Sequence, residues 1–414
     1  MSKLADIVSV ESIKLACKRL SPSKKPGVDG QTVEQLRDLL KLFADDIVAS
    51  VLDGSFVASP LLKVLIPKGN SEKMRTIYLP VSLDKAIQLS IVSKMTATTE
   101  AIFHDSSFGF RPGRSRNIQC AVQRASVMVK EGYLWCLTID IKSFFDGIER
   151  ERLRRLLREY NLGIDGPTRS LINQFITAPI QRIRFREPSR GVPAGLPLAP
   201  LLANIYLTPF DRYLDKCGHP FVRYADDIAV FFRDESECRR FEVHLSNVSE
   251  KDFGFSLNVE KTNVVTGRKR RLLGHDIDDL GRITASAAVF EKTLQNLYRL
   301  LADFDTVRPV GGLGSVDHER VTKFAKDVVS RFNGVLSAFR AAENLLELEV
   351  IANHHVEMFL REVCKKGDLI SLTMIAKVKI SAVDELLEFD EEMAVHELLK
   401  GWEKVRARSR LKAA

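Results

Sequence analysis

Two adjacent carboxylates inside an apolar run constrain this chain more than any other feature. The stretch FVRYADDIAVFF, residues 221–232, sets Asp226 and Asp227 among aromatic and branched side chains. Such a run forms a buried strand, and buried carboxylates are costly unless a cation meets them. The pattern predicts strand, tight turn, strand, with both acids at the hairpin tip. A second apolar run, WCLTIDI (135–141), reaches Asp140 near its end in the same manner. Placed in one sheet, the two runs bring three carboxylates together.

Aspartates without His or Cys make a hard oxygen donor set. That set favours Mg²⁺, which keeps waters and takes substrate phosphates as further ligands, with Mn²⁺ as an alternative ion. Two such ions about 3.5–4 Å apart activate an attacking hydroxyl and stabilise a leaving oxygen in phosphoryl transfer. Softer metal chemistry has no support. The six cysteines are scattered without a CxxC pair, and His354 and His355 are neighbours on a predicted helix, so their side chains diverge.

The chain of 414 residues is long enough for two or three domains. Its 62 Lys+Arg against 54 Asp+Glu leave a net charge of +8, which suits a polyanionic partner and equally a merely basic enzyme. No apolar run is long enough to span a bilayer, and the N-terminus carries acids where a signal peptide needs an apolar core, so a cytoplasmic protein with no membrane partner is expected. Residues 56–80 read as two short strands around a polar turn, and residues 81–103 as a helix. QRIRFR (181–186) alternates, with Arg182, Arg184 and Arg186 on one strand face; a solvated edge or a nucleic-acid groove explains it. Helical spacing dominates after residue 285.

With these blocks in place, the chain resembles the group II intron-like bacterial reverse transcriptases. YADD (224–227) is similar to their YxDD signature, TIDIKSFFDGI (138–148) to motif A and GVPAGLPLAPLLANIYL (191–207) to motif B. KKPGVDG (24–30), LIPKGNSEKMRTIYLPVSLDKAIQ (65–88) and SFGFRPGRS (107–115) continue the likeness upstream; FSLNVEKTNVV (255–265) and RRLLGHDI (270–277) resemble motif D and the primer-grip region. The resemblance implies an α+β right-hand polymerase with fingers, an antiparallel-sheet palm and a helical thumb. It places an N-terminal segment and fingers in 1–78, a palm with interleaved fingers segments in 79–288, and the thumb with a C-terminal extension in 289–414.

It also implies roles. Asp140 and Asp226 bind the two metals with the Ile141 carbonyl, and Asp227 supports the site. Lys68 and Arg75 grip the nucleotide triphosphate, although both also read as solvated loop cations. Lys261 is a proton donor to pyrophosphate or a solvent-facing lysine. Phe145 lies where a ring beneath the sugar excludes a ribose 2′-hydroxyl, so the expected product is DNA; Phe144 is expected to face the core. Arg111 and Arg114, with the aromatics around them, suit a template surface or a structural turn. Arg182, Arg184, Tyr224 and Gly274 complete the nucleic-acid contacts. Ala194 and Ala199 depart from the Gln and Ser usual in the family, which removes polar groups beside the nucleotide.

The implied activity is RNA-directed DNA synthesis from dNTPs, with an RNA template and a DNA or RNA–DNA heteroduplex product. The altered motif B, and no Cys/His cluster after the thumb region, favour a stand-alone enzyme. It would copy a structured noncoding RNA in anti-phage defence, with a partner protein or a second copy beside it. The alternative is an intron-type RNA-binding maturase assisting splicing or mobility.

Overall fold

The structure is a computed structural model. It describes residues 3–20, 28–67, 74–113, 115–160, 162–181, 189–267 and 270–306, together with 335, 339, 341–344 and 350. The chain divides into two compact units, Met1–Gly267 and Arg268–Ala414.

The first unit opens with α1 (Leu4–Ile7), α2 (Val10–Arg19) and α3 (Val33–Asp53). Helix α3 starts on a reciprocal Thr32–Gln35 capping box and stops at Gly54, whose φ of 84° only glycine adopts cheaply. The strands β1 (Leu62–Pro67) and β2 (Met74–Leu79) form an antiparallel hairpin, as expected for residues 56–80. Its polar turn lies outside the described residues. Next come α4 (Ser82–Glu100), the helix expected over 81–103, and α5 (Ile118–Lys130).

Strand β3 (Trp135–Ile139) leads through α6 (Phe144–Gly147), α7 (Arg150–Glu159), α8 (Gly166–Thr177) and α9 (Ala199–Lys216) to β4 (Phe221–Tyr224) and β5 (Asp227–Phe232). Then α10 (Glu235–Phe253) precedes β6 (Asn263–Val265). Four strands form one antiparallel sheet in the order β4-β5-β3-β6. Period-2 alternation sends Leu137, Ile139, Ile228, Val230 and Phe232 into the main core. Helix α10 packs on β3, β5 and β6, with Phe241 and Phe232 ring centroids 5.4 Å apart. The sheet therefore rests on a rigid apolar base, and its β3–β5 end is free to carry polar groups.

The second unit contains β7 (Arg270–Leu272), β8 (His275–Ile277) and β9 (Ile283–Ala285) in one antiparallel sheet, followed by α11 (Ala287–Thr306). Leu273 and Gly274, at φ of 52° and 81°, form the two-residue turn between β7 and β8. The helix is the one expected after residue 285. The rest of the expected thumb, including most of the periodic stretch 321–339, lies outside the described residues apart from 335, 339, 341–344 and 350.

Candidate active site

The hairpin expected over 221–232 is present, with Tyr224 paired to Asp227 and only Ala225 and Asp226 in the turn. Strand register then places Asp140. Ile139, the last residue of β3, pairs with Ile228, so the register continued by one step would bring Asp140 opposite Asp227. Directly opposed residues in an antiparallel pair share a face and lie about 4.5–5.5 Å apart at Cα. One further residue step adds about 3.8 Å, so the Cα atoms of Asp140 and Asp226 are within roughly 9–10 Å. Asp226 and Asp227 are exposed, and Asp140 is half-buried.

Asp140 is held from the other side by the segment after α10. Its carbonyl accepts from the Asn258 N–H at 2.8 Å, and its carboxylate accepts from Asn258 Nδ2 at 2.9 Å. The Asp140 N–H donates to Thr262 Oγ1 at 3.3 Å, and Lys261 Nζ stands 3.6 Å from the carboxylate. Ile141 bridges Leu257, flanked by the Lys142 N–H donating to the Ser256 carbonyl at 2.9 Å. In that antiparallel pattern the Ile141 N–H and C=O point to the opposite edge of β3, the side on which β5 runs.

The 224–227 turn has a buried brace that the sequence signalled only by an odd residue, the Arg in FVRY. Arg223 and Asp211 are fully buried and joined by two hydrogen bonds, Nε to Oδ1 at 2.7 Å and Nη2 to Oδ2 at 2.6 Å. Arg223 Nη1 donates to Asn204 Oδ1 at 2.8 Å and to the Ala225 carbonyl at 3.1 Å. Asn204 Nδ2 donates to the Gly109 carbonyl at 2.8 Å. Helix α9 is thus tied to the turn and to the 104–111 segment. Ala225 has φ 58°, a conformation glycine normally supplies, and the brace helps hold it there.

A third group lines the sheet end. Phe144 is buried against Tyr206, with ring centroids 6.4 Å apart, as expected of a core residue. Phe145 is half-buried, and its carbonyl accepts from the Val192 N–H at 2.9 Å. The Ala194 carbonyl accepts from the Tyr78 N–H at 2.7 Å, joining the 191–196 loop to β2. Gly195 has φ 109°, and a Cβ there would lie 2.6 Å from both Ile77 Cγ2 and the Tyr78 carbonyl oxygen. Only glycine allows that contact. Arg75 is exposed on β2, while Lys68 lies outside the described residues.

Arg111 requires a correction. Its side chain is only 2% exposed, and it forms a double hydrogen bond with Glu100, at 3.1 and 2.5 Å. It also donates to the His104 and Ser107 carbonyls, each at 2.6 Å. The guanidinium is an internal strut and has no face for a template. Arg114, Arg182 and Arg184 lie outside the described residues. Tyr224 is half-buried beside the turn, and Gly274 belongs to the second unit, where its carbonyl accepts from the Ser286 N–H at 2.9 Å.

Among the described residues, no group of three or more His, Cys, Asp or Glu side chains stands close enough together to hold a metal ion by itself. The acids at the β3–β5 end are Asp140, half-buried with its carboxylate held by Asn258, and the exposed Asp226 and Asp227. That chemistry fits a hard, octahedral cation that retains waters and accepts phosphate oxygens.

Comparison with known proteins adds the family. The model described as reverse transcriptase (RNA-dependent DNA polymerase) matches residues 66–277. The group II intron-encoded protein LtrA of Lactococcus lactis subsp. cremoris is 34% identical over 210 residues, covering 50% of this chain and 34% of that protein. Protein YkfC of Escherichia coli is 31% identical over 278 residues, covering 58% of this chain and 72% of that protein. The retron Ec83 reverse transcriptase of Escherichia coli is 25% identical over 199 residues, covering 47% of this chain and 60% of that protein. The chain thus spans about a third of the length of the intron-encoded relative.

Proposed function

This chain belongs to the reverse transcriptase family, with the α+β right-hand fold of that family, and on that premise we propose that it synthesises DNA from dNTPs on an RNA template. The observation that supports the reading is the β3–β5 register, which ends on Ile139 paired with Ile228 and so leaves Asp140 and Asp227 as the next residues of the two strands. Asp140, Asp226 and the Ile141 carbonyl would hold two Mg²⁺ ions, with Asp227 supporting them. Bound there, the ions supply charge neutralisation and an activated hydroxyl.

The protein's own groups do the rest. The Phe145 ring closes the space a ribose 2′-hydroxyl needs, which selects deoxynucleotides. Arg75 and Lys68 hold the triphosphate, Arg75 with a planar fork matched to phosphate oxygens. The Tyr78 N–H bond to the Ala194 carbonyl, and the close approach of Gly195 to the Ile77 side chain and the Tyr78 carbonyl, fix the wall of the nucleotide site. Lys261 starts beside Asp140 and donates a proton to departing pyrophosphate. The primer 3′-oxygen bonds to the α-phosphorus, and pyrophosphate leaves.

The setting we favour is a bacterial cytoplasmic enzyme that copies a dedicated structured noncoding RNA in anti-phage defence. Ala194 and Ala199, in place of the usual polar residues, support specialised rather than general copying. No helix among the described residues is long and apolar enough to cross a membrane. Likeness to a group II intron-encoded protein supports a second reading, an RNA-binding maturase that assists splicing or mobility. Purifying the protein from cells and sequencing its bound RNA and any DNA made separates the two. One abundant structured RNA with matching complementary DNA supports the first; excised intron RNA supports the second.

A further inference from the structure

Four non-glycine residues among those described have positive φ: Phe110, Ser143, Ala225 and Leu273. Three belong to the first unit and border the proposed chemistry. Ser143 follows Asp140 by three positions, and Ala225 immediately precedes Asp226. The third, Phe110, has no role in what has been described. It is also the most unusual, a large aromatic side chain at φ 56° that remains 53% exposed. Left-handed backbone and an unburied ring are each unfavourable.

The surroundings show how the ring is presented. The 104–111 segment runs beside β4: Ser107 bridges Arg223 in parallel, the Phe108 N–H donates to the Arg223 carbonyl at 2.8 Å, and the Arg223 N–H donates to the Ser106 carbonyl at 2.8 Å. Gly109 is pressed onto the catalytic turn so closely that a Cβ there would lie 2.4 Å from the Ala225 nitrogen. On the far side, the buried Arg111 strut fixes the backbone. Phe108 is buried, so between two anchored neighbours the Phe110 ring alone turns outward. Its centroid lies 6.3 Å from that of Tyr224, at an interplanar angle of 44°.

We infer that Phe110, with Tyr224, forms an aromatic ledge that packs against the last nucleotides of the primer strand. This rests on the polymerase reading and adds a contact to it. The strand passing the turn must end in the hydroxyl that Asp226 serves, so the ledge beside Ala225 meets that strand and not the template. A ring on a rigid support stacks on a base or sugar with little entropy loss, and every base offers a face, so the contact is independent of sequence.

The test uses full-length protein and a primer–template duplex carrying 5-iododeoxyuridine at the primer's terminal or penultimate position. Ultraviolet light is expected to crosslink that base to residue 110 in the wild type, and the crosslink is lost in Phe110→Ala. The Phe110→Ala variant should raise the KM for primer–template about tenfold, with a smaller change in kcat, and Phe110→Trp should restore it. Its melting temperature should match the wild type, since the ring is exposed. Crosslinking only from iododeoxyuridine in the template strand overturns the proposal, as does an unchanged KM in Phe110→Ala. The crosslink needs binding and not synthesis. A wild type that crosslinks at residue 110 but extends no primer therefore contradicts the polymerase reading and leaves the ledge standing.

Discussion

Arg223 and Asp211 form a fully buried, two-bonded ion pair directly behind the turn that carries Asp226. The same guanidinium reaches the Ala225 carbonyl, so the pair joins helix α9 to the β4–β5 hairpin. Buried charges contribute little net stability when paired, but breaking the pair leaves an uncompensated charge. Asp211→Ala should therefore lose about 3–5 kcal/mol in denaturant unfolding. Replacing both partners, as Asp211→Leu with Arg223→Met, should recover most of that loss. Turnover should stay at least tenfold down, because no donor then holds the Ala225 carbonyl. A double variant with wild-type turnover would show the pair to be structural filling only.

Phe145 provides a separate check on sugar selection. Shortening it to alanine opens the space beneath the sugar, so the preference for dNTPs over rNTPs should fall roughly tenfold or more, in line with steric pocket discrimination. Competing dATP and ATP incorporation opposite template U measures it. An unchanged ratio places the selecting group elsewhere.

Asp84 predicts an acid-side signature in stability. Burial pushes its carboxyl up to about 6 from 3.8, against the Ser59 N–H that donates to it at 2.8 Å. The raised value means the folded protein binds this proton more tightly than the unfolded chain. Its contribution is full below pH 4 and is lost as pH rises through 6, amounting to at most about 3 kcal/mol. Asp84→Asn retains an acceptor for Ser59 and removes the titration. The stability of Asp84→Asn relative to wild type should rise between pH 4 and pH 7, and urea melts across that range measure it. A flat difference contradicts the linkage.

Much of the site was legible because its signals are local. FVRYADDIAVFF contains its own turn, and the apolar run of residues 135–139 reads as a strand from composition alone. Phe144 lies in the core as expected, although it opens helix α6 and not the extended segment on which that expectation rests. The brace was hidden for the opposite reason. Arg223 stood out in an apolar strand, but Asp211 lies on a helix, and nothing periodic relates the two. Arg111 misled for a related reason. Its Pro/Gly-rich setting reads as a surface turn, whereas Glu100 meets it only after the 101–110 backbone doubles back. Asn258 and Thr262, which grip Asp140, sit in a polar loop whose composition resembles any solvated connection. Charge and polarity do not reveal burial; only the tertiary path does.

Primer extension on an RNA template, comparing the wild type with Asp226→Ala/Asp227→Ala, tests the central claim most directly. The wild type should incorporate dNTPs with Mg²⁺ and stop when EDTA is added. The double variant should keep its fold by circular dichroism and its RNA binding while making no DNA. DNA synthesis by that variant at wild-type rate would contradict the account.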